Sequence, residues 1–364
     1  MKFILFIVMD ERILLDKYRP SSLSEVEHNH KVSSQLLQFC KTDNVPHMIM
    51  YGPHQSGKKT FVKLFLKEKY GNSVTNLRKC SIELTPNNTK IQFDYFSSKY
   101  HFYIKMKDYN VYDRVIIQTL IKDISKTKNI LCDYHIIVID NAEKLNTDAQ
   151  QSLLRTMEKH MNNCRFILLV DSEYNLIEPL SSRCMYLRLR QPSNFEISSI
   201  LQKITKNENI KIKKEIIEKI PSLCDNKIGM SINFLEFLIF RNLLNKNIQE
   251  TYYEFDKTQK TIMTLVNMLY KKSTINNFET VNELLNDVII YSTDPNNILK
   301  RLFQAILKNK NDKECELIFI SDESYNNLAN HNKPIYHLMD YYVKCYECIH
   351  RGNLGSPYPL PSSN

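Results

Sequence analysis

The stretch Gly52–Thr60 constrains this chain most, because its sequence GPHQSGKKT nearly completes a phosphate-binding loop. It follows the apolar run His47–Tyr51, which predicts a buried strand, and it leads into Lys58–Tyr70, where apolar residues recur at helical spacing. In a strand–loop–helix unit of this kind, backbone N–H groups and a helix N-terminus converge on phosphate oxygens. The sequence therefore predicts a nucleotide site within an α/β domain.

One position of the loop departs from the pattern G-x-x-x-x-G-K-[ST]. Gly52, Gly57 and Lys58 are present, but Lys59 stands where a serine or threonine hydroxyl would bind magnesium. Thr60 carries a hydroxyl one residue later, which in a helix is about 100° around the axis, so it does not simply replace the missing one. Three interpretations remain open at this point: an active ATPase, a nucleotide site without turnover, and a chance match.

A second candidate site follows the apolar run His135–Asp140, HIIVID, which predicts a strand buried on both faces. Asp140 ends this strand and could hold magnesium through water, or could simply cap the strand. The next residue, Asn141, is an amide and cannot accept a proton from an attacking water. We expect the nearest following acid, Glu143, to point elsewhere.

Strands and helices alternate over about the first 190 residues, which indicates a doubly wound α/β domain with a parallel sheet. Beyond Gln191 the apolar spacing is helical, and the chain ends in a Gly/Pro/Ser-rich segment. We predict five segments: an N-terminal extension of unknown role (1–12), a nucleotide-binding core (13–190), two helical regions (191–250 and 251–350) and a flexible tail (351–364).

The 364 residues carry a net charge of +9, from 49 basic and 40 acidic side chains. This excess favours an anionic partner, but it is spread along the chain and is also typical of a surface with surplus lysine. Nine cysteines without a framework indicate reduced thiols. Cys345 and Cys348 lack the second pair that zinc would need, so we predict buried apolar residues and no structural metal. The apolar start MKFILFIVM is too short to span a membrane, and we expect no membrane partner.

Five motifs occur together and in order, and together they resemble the small subunits of replication factor C, the eukaryotic sliding-clamp loader of the AAA+ family. They are DKYRP (Asp16–Pro20), the phosphate loop, IIVIDNAEKL (Ile136–Leu145), LLRTMEK (Leu153–Lys159) and PLSSRC (Pro179–Cys184). Within that family the chain is most similar to subunit three, in the double lysine of GKKT and in SSKYHFYI (Ser97–Ile104), YDRVIIQ (Tyr112–Gln118) and IYHL (Ile335–Leu338).

The resemblance implies an AAA+ core, a helical lid (191–250) and a helical collar (251–350) through which five different subunits assemble. In such an assembly ATP closes an open spiral on the ring-shaped clamp and on primer–template DNA, and hydrolysis releases the clamp. It further implies a nuclear protein of DNA replication and repair that binds ATP or ADP.

The resemblance also assigns roles to individual positions. The adenine pocket corresponds to Tyr18, Arg19 and Pro20, and the magnesium-side acid to Asp140. The phosphate-binding set corresponds to Gly52, Pro53, Ser56, Gly57, Lys58, Lys59 and Thr60. Arg183 matches an arginine finger that reaches the ATP site of a neighbouring subunit. Arg114 and Lys122 match a helix that faces DNA phosphates, although an exposed helix face would look the same.

Several positions depart from the family. Asn141 replaces the catalytic carboxylate, and Asp171 replaces a sensor asparagine, so that it would repel a γ-phosphate. The sensor arginine of the lid falls near Gly229, where Lys227 could compensate in part. The first of two family arginines is Leu154, while Arg155 remains. These departures predict a pocket that holds nucleotide, has a weakened magnesium site and hydrolyses poorly.

Three alternatives differ in class from that prediction. The chain could be a stand-alone remodelling ATPase, which Asn141 disfavours. It could be a non-catalytic scaffold whose pocket is vestigial and whose Arg183 does nothing. It could also be a DNA-binding protein that takes no nucleotide.

Overall fold

The computed structural model describes residues 13–42, 45–84, 91–106, 113–126, 132–172, 174, 176–244, 247–271, 276–291, 295–308, 313–330 and 333–350. The predicted N-terminal extension and tail lie outside these residues, as do positions 127–130 of a helix that the sequence predicts over 115–130. The chain divides into two compact units, Met1–Leu244 and Asn245–Asn364, and each has its own hydrophobic core.

The first unit is built on a sheet whose strands, within the described residues, are ordered β2-β3-β4-β5-β6-β1-β7. The strands are β1 (Met48–Tyr51), β2 (Arg78–Leu84), β3 (Ile91–Ser97), β4 (His101–Lys105), β5 (His135–Asp140), β6 (Cys164–Val170) and β7 (Met185–Arg188). From β4 to β7 every pairing is parallel, which confirms the predicted parallel core. At the other edge β2, β3 and β4 pair antiparallel, so the sheet as a whole is mixed.

Helices of the first unit cover the sheet, and after β7 the described residues of this unit form helices without further strands. They are α1 (Leu14–Lys17), α2 (His30–Lys41), α3 (Lys58–Tyr70), α4 (Asp113–Ile116), α5 (Lys122–Lys126), α6 (Thr147–Lys159), α7 (Glu178–Ser181), α8 (Asn194–Asn207), α9 (Lys214–Leu223) and α10 (Ile228–Phe240). A π-helical turn, Ile117–Ile121, joins α4 to α5. The start of α8 is fixed by a capping box, in which the Ser193 hydroxyl accepts from the Glu196 N–H and the Glu196 carboxylate accepts from the Ser193 N–H.

Two apolar clusters, one on each face of the sheet, form the core of the first unit. Along β5, Ile137 and Ile139 belong to one cluster, while Ile136 and Val138 belong to the other. Side chains alternate between the faces of a strand, so a continuous apolar run fills both clusters at once. This burial explains why the run HIIVID forms a central strand.

The second unit is helical throughout its described residues. Its helices are α11 (Ile248–Phe255), α12 (Lys257–Leu269), α13 (Asn276–Tyr291), α14 (Pro295–Leu307), α15 (Glu314–Asn330) and α16 (Pro334–His350). Cys345 and Cys348 are buried in its core, as predicted for apolar residues. Over the described parts of both units, no helix is long and apolar enough to cross a bilayer.

Candidate nucleotide-binding site

Three chain segments meet at one edge of the sheet because β5, β6 and β1 are adjacent and parallel. Met50 of β1 and Asp140 of β5 both pair with Leu169 of β6, so the three strands end at the same level. Gly52 follows β1 and Asp171 follows β6 at this edge. Chain order changes here, with β6 inserted between β5 and β1, and such switch points are where parallel sheets bind ligands.

The phosphate loop is shaped by close backbone packing. A Cβ atom on Gly52 would lie 2.1 Å from the carbonyl oxygen of Leu189, so only glycine fits there. Gly57 adopts φ +93° at the start of α3, and no side chain caps that helix. The N–H groups of its first turn therefore have no side-chain acceptor, and such groups suit phosphate oxygens. Among the described residues, the buried Ser56 hydroxyl also finds no hydrogen-bond partner.

The loop lysine, Lys58, is held by its own loop and by one acid. Its ammonium group donates to the carbonyl oxygens of Gly52 at 2.6 Å and Pro53 at 3.2 Å, and pairs with the Asp171 carboxylate at 2.5 Å. These contacts use all three ammonium donors. A phosphate that binds here must therefore compete with Asp171 for the charge of Lys58.

Lys59, the unusual residue of the loop, forms an ion pair with the acid at the end of β5. Its Nζ lies 2.7 Å from Asp140 Oδ2, and the Tyr103 hydroxyl donates to the same oxygen at 2.8 Å. Asp140 is only 2 % exposed, and an unpaired carboxylate at such a site would cost several kcal/mol. Burial, and then the charge of Asp140, raise the pKa of Tyr103 well above its ordinary value, so it stays a donor.

These residues do not fit a magnesium ion. Mg²⁺ requires oxygen ligands at about 2.0–2.1 Å in octahedral geometry. Position 59 supplies an ammonium group in place of an oxygen, and its positive charge repels a cation. Asp140 Oδ2 already accepts from Lys59 and Tyr103.

Two residues that follow β5, Asn141 and Glu143, bear on whether the pocket can hydrolyse nucleotide. Asn141 has φ 56° and begins the short 3₁₀ helix Ala142–Lys144, so an amide stands where the family has its catalytic acid. Glu143, which was expected to point elsewhere, is a half-buried residue of the same short helix. Burial, and then the charge of Asp171, raise the pKa of the Glu143 carboxyl group, and the charge of Lys58 partly opposes this shift. Within the described residues, its buried Oε2 has no hydrogen-bond partner.

The segment predicted to line the adenine pocket is tied to the end of α8. The Tyr18 hydroxyl donates to Glu208 Oε1 at 2.6 Å, and Lys17 pairs with the same oxygen at 3.0 Å. Burial, and then Glu208, raise the pKa of Tyr18 to about 12. Arg19 pairs with Asp16 at 3.0 Å. Sequence reasoning missed Glu208, whose contact spans 190 residues of chain and leaves no local signal.

The predicted sensor position lies in the first turn of α10. Gly229 has space around it, since an added Cβ would meet Leu15 at 3.8 Å. Lys227, which could have compensated for a lost arginine, pairs with Asp225 at 3.3 Å. The structure therefore places Gly229 in α10 and Lys227 at the N-cap of that helix, and it gives Lys227 a local partner.

Comparison with known proteins identifies the family. A model of the DNA polymerase III delta subunit matches residues 28–193. Replication factor C subunit 5 of Schizosaccharomyces pombe is 30 % identical over 349 residues, which cover 93 % of this chain and 98 % of that protein. The chain belongs to the replication factor C subunit family. The family resemblance predicted from the five motifs is thereby confirmed.

Other relatives are named either replication factor C subunit 5 or replication factor C subunit 3. Subunit 5 of Saccharomyces cerevisiae is 30 % identical and covers 92 % of this chain and 99 % of its own length. Human subunit 3 is 27 % identical and covers 91 % and 94 %. Among solved structures, a RuvB branch-migration motor of Thermotoga maritima aligns with a TM-score of 0.48 at 14 % identity, over 72 % of this chain and 82 % of that chain.

In this member of the replication factor C family, Arg183 lies on the surface between α7 and α6. Its side chain is 46 % exposed, and its guanidinium pairs with Glu158 at 2.7 Å and donates to the carbonyl oxygen of Pro179 at 2.8 Å. Both contacts are with exposed residues of the same chain. The arginine is therefore accessible from solvent.

The candidate DNA residues, Arg114 and Lys122, lie on α4 and α5. Arg114 pairs loosely with Asp148, at 3.7 Å, and lines a small polar cavity together with Arg155. Lys122 is exposed at the start of α5. Leu154, which replaces a family arginine, is partly buried against the core. The structure thus brings Arg114 and Arg155 together, a pairing that the sequence did not indicate.

Proposed function

We propose that this chain is one of five different subunits of the ATP-dependent loader that places the sliding clamp on primer–template DNA in replication and repair. In this proposal residues 13–190 form the AAA+ core, 191–250 the lid and 251–350 the collar that assembles with the other subunits. The chain acts in the nucleus. It contacts DNA phosphates without reading sequence, with Arg114 and Lys122 as candidates. Family membership and the charge of +9 support this proposal.

Within that assembly the pocket binds ATP or ADP and hydrolyses it poorly. The observation that carries this proposal is the ion pair between Lys59 and Asp140 beside the amide of Asn141. The loop geometry and the uncapped start of α3 suit phosphate. The general base of the family is absent from position 141, and the loss of such a group commonly lowers rates by about 10²–10⁴. Bound nucleotide would then stabilise the arrangement of the core and the lid relative to each other.

The same chain supplies catalysis to a neighbour through Arg183. An arginine finger meets charge that develops in the transition state and is worth about 10³–10⁵ in rate. The ion pair between Arg183 and Glu158 is exposed on both sides, and exposed pairs contribute only about 0–1 kcal/mol. Arg183 can therefore break this ion pair at little cost in free energy and contact the ATP site of an adjacent subunit.

The test is Arg183→Ala in the assembled complex, with Arg188→Ala as the matched control. Arg188 is also an exposed arginine, five residues further along the chain on β7. We expect Arg183→Ala to assemble normally and to lose most of the clamp- and DNA-stimulated ATP hydrolysis at the neighbouring site. Arg188→Ala should retain it.

Equal hydrolysis by the two variants would contradict the proposal and would favour a scaffold with a vestigial pocket. Sustained turnover by the isolated chain would favour a stand-alone ATPase. Failure to bind labelled ATP at all, with Lys58→Ala no different from the natural chain, would favour a DNA-binding protein without nucleotide.

A further inference from the structure

We propose that the ammonium group of Lys59 takes the place of the divalent cation in this pocket, so that the chain binds ATP or ADP without Mg²⁺. This inference rests on the proposed function, because it concerns how the same pocket holds its nucleotide. It assigns Lys59, the residue that departs from the loop pattern, a direct role in nucleotide binding.

The ion pair of Lys59 joins the two positions that a magnesium site would use. Position 59 would supply the hydroxyl, and Asp140 would supply the acid. In the structure these two side chains bind each other at 2.7 Å, and Tyr103 fixes the same carboxylate oxygen. A cation is thus already present between the loop and the end of β5.

Lys59 can hold Asp140 and still reach phosphate. An ammonium group has three donors, and the contact with Asp140 uses one of them. The side chain is 57 % exposed, so its remaining donors are accessible from solvent. It can therefore neutralise phosphate oxygens while it compensates the buried acid.

Two of the three charge changes in the pocket make it more positive. Relative to the family pattern, lysine at position 59 adds one positive charge and asparagine at position 141 removes one negative charge. Together they make the pocket two units more positive. Asp171, which pairs with Lys58, returns one negative charge, so the net change is one positive unit, the charge of one ammonium group.

The first experiment measures ATP and ADP affinity of the full chain by equilibrium binding, in Mg²⁺ and in EDTA. The variants are Lys59→Thr, which restores the usual hydroxyl, and Lys59→Arg, which keeps the charge. Lys63→Thr is the matched control, because Lys63 is an exposed lysine on the same helix. We expect EDTA to change the affinity of the natural chain, Lys59→Arg and Lys63→Thr by less than about threefold, and to weaken Lys59→Thr at least tenfold.

The second experiment follows thermal unfolding without nucleotide while MgCl₂ is added. In Lys59→Thr the buried Asp140 has lost its cation, so the variant should unfold at a lower temperature and be stabilised by Mg²⁺. The natural chain and Lys63→Thr should show no such magnesium effect.

A tenfold loss of affinity of the natural chain in EDTA would overturn the proposal, as would stabilisation of the natural chain by Mg²⁺ alone. If no nucleotide binds under any condition, the nucleotide-binding part of the proposed function fails. The unfolding experiment then decides the role of Lys59 separately: stabilisation of Lys59→Thr alone supports it, and any other pattern contradicts it.

Discussion

Acids and lysines in this pocket neutralise one another in two pairs, Lys58 with Asp171 and Lys59 with Asp140. The family pattern would instead direct the loop lysine at phosphate and the acid at a metal. At the scale of single residues, the pocket is therefore electrostatically satisfied by its own side chains. Changes to these charges should alter nucleotide binding, and the loss of Lys59 should also lower stability because Asp140 is buried.

Asp171→Asn should raise the affinity for ATP by about threefold to tenfold. The change frees Lys58 from a 2.5 Å ion pair and removes a carboxylate that repels the γ-phosphate. Equilibrium binding of labelled ATP measures it, and Asp225→Asn is the control, because Asp225 is exposed and paired with another lysine, Lys227. An unchanged or weaker affinity of Asp171→Asn would show that Asp171 does not compete with the ligand.

Glu143→Gln should change how stability depends on pH. Burial raises the folded-state pKa of Glu143 above its ordinary value of 4.5, so the folded chain binds its proton more tightly than the unfolded chain. This group therefore adds stability below about pH 4.5, and that stability is lost as the pH rises through the folded-state pKa. Against Glu143→Gln, the melting temperature of the natural chain should fall as the pH is raised from 4 to 7. A difference that is independent of pH would contradict this account.

At the scale of elements, much could be predicted from the sequence. Long apolar runs such as HIIVID predicted central parallel strands, and helical spacing predicted α3. Because parallel strands end at one edge, the meeting of the loop with Asp140 was foreseeable. The contact with Tyr103 was not, because it depends on β4 lying beside β5, and nothing local in the sequence fixes strand order.

Gly52→Ala should disrupt the joint between β1 and the phosphate loop. Its Cβ would lie 2.1 Å from the backbone oxygen of Leu189, which cannot move aside without shifting the end of β7. We expect a loss of more than about 1 kcal/mol, or a few degrees in melting temperature. Gly229→Ala is the matched control, because its Cβ would make an ordinary contact at 3.8 Å. Equal melting temperatures for the two variants would contradict the close packing at Gly52.

At the scale of the whole molecule, the proposed function gives one chain two roles at two different places. In that proposal the pocket at the sheet edge would hold nucleotide with its own lysines, and the surface around Arg183 would serve another subunit. Neither role needs the catalytic carboxylate that position 141 lacks. An assembly of different subunits can keep such a chain, because hydrolysis at one interface requires groups from two chains.

The most direct test is single-turnover hydrolysis in an assembled complex whose other phosphate loops have been disabled by substitution of their lysines. Labelled ATP then binds only to the pocket of this chain, and Lys58→Ala provides the blank. The account predicts Lys58-dependent binding with cleavage at least about 10²-fold slower than the 1 s⁻¹ at the low end of ordinary enzyme turnover. Lys58-dependent cleavage at about 1 s⁻¹ or faster would contradict it.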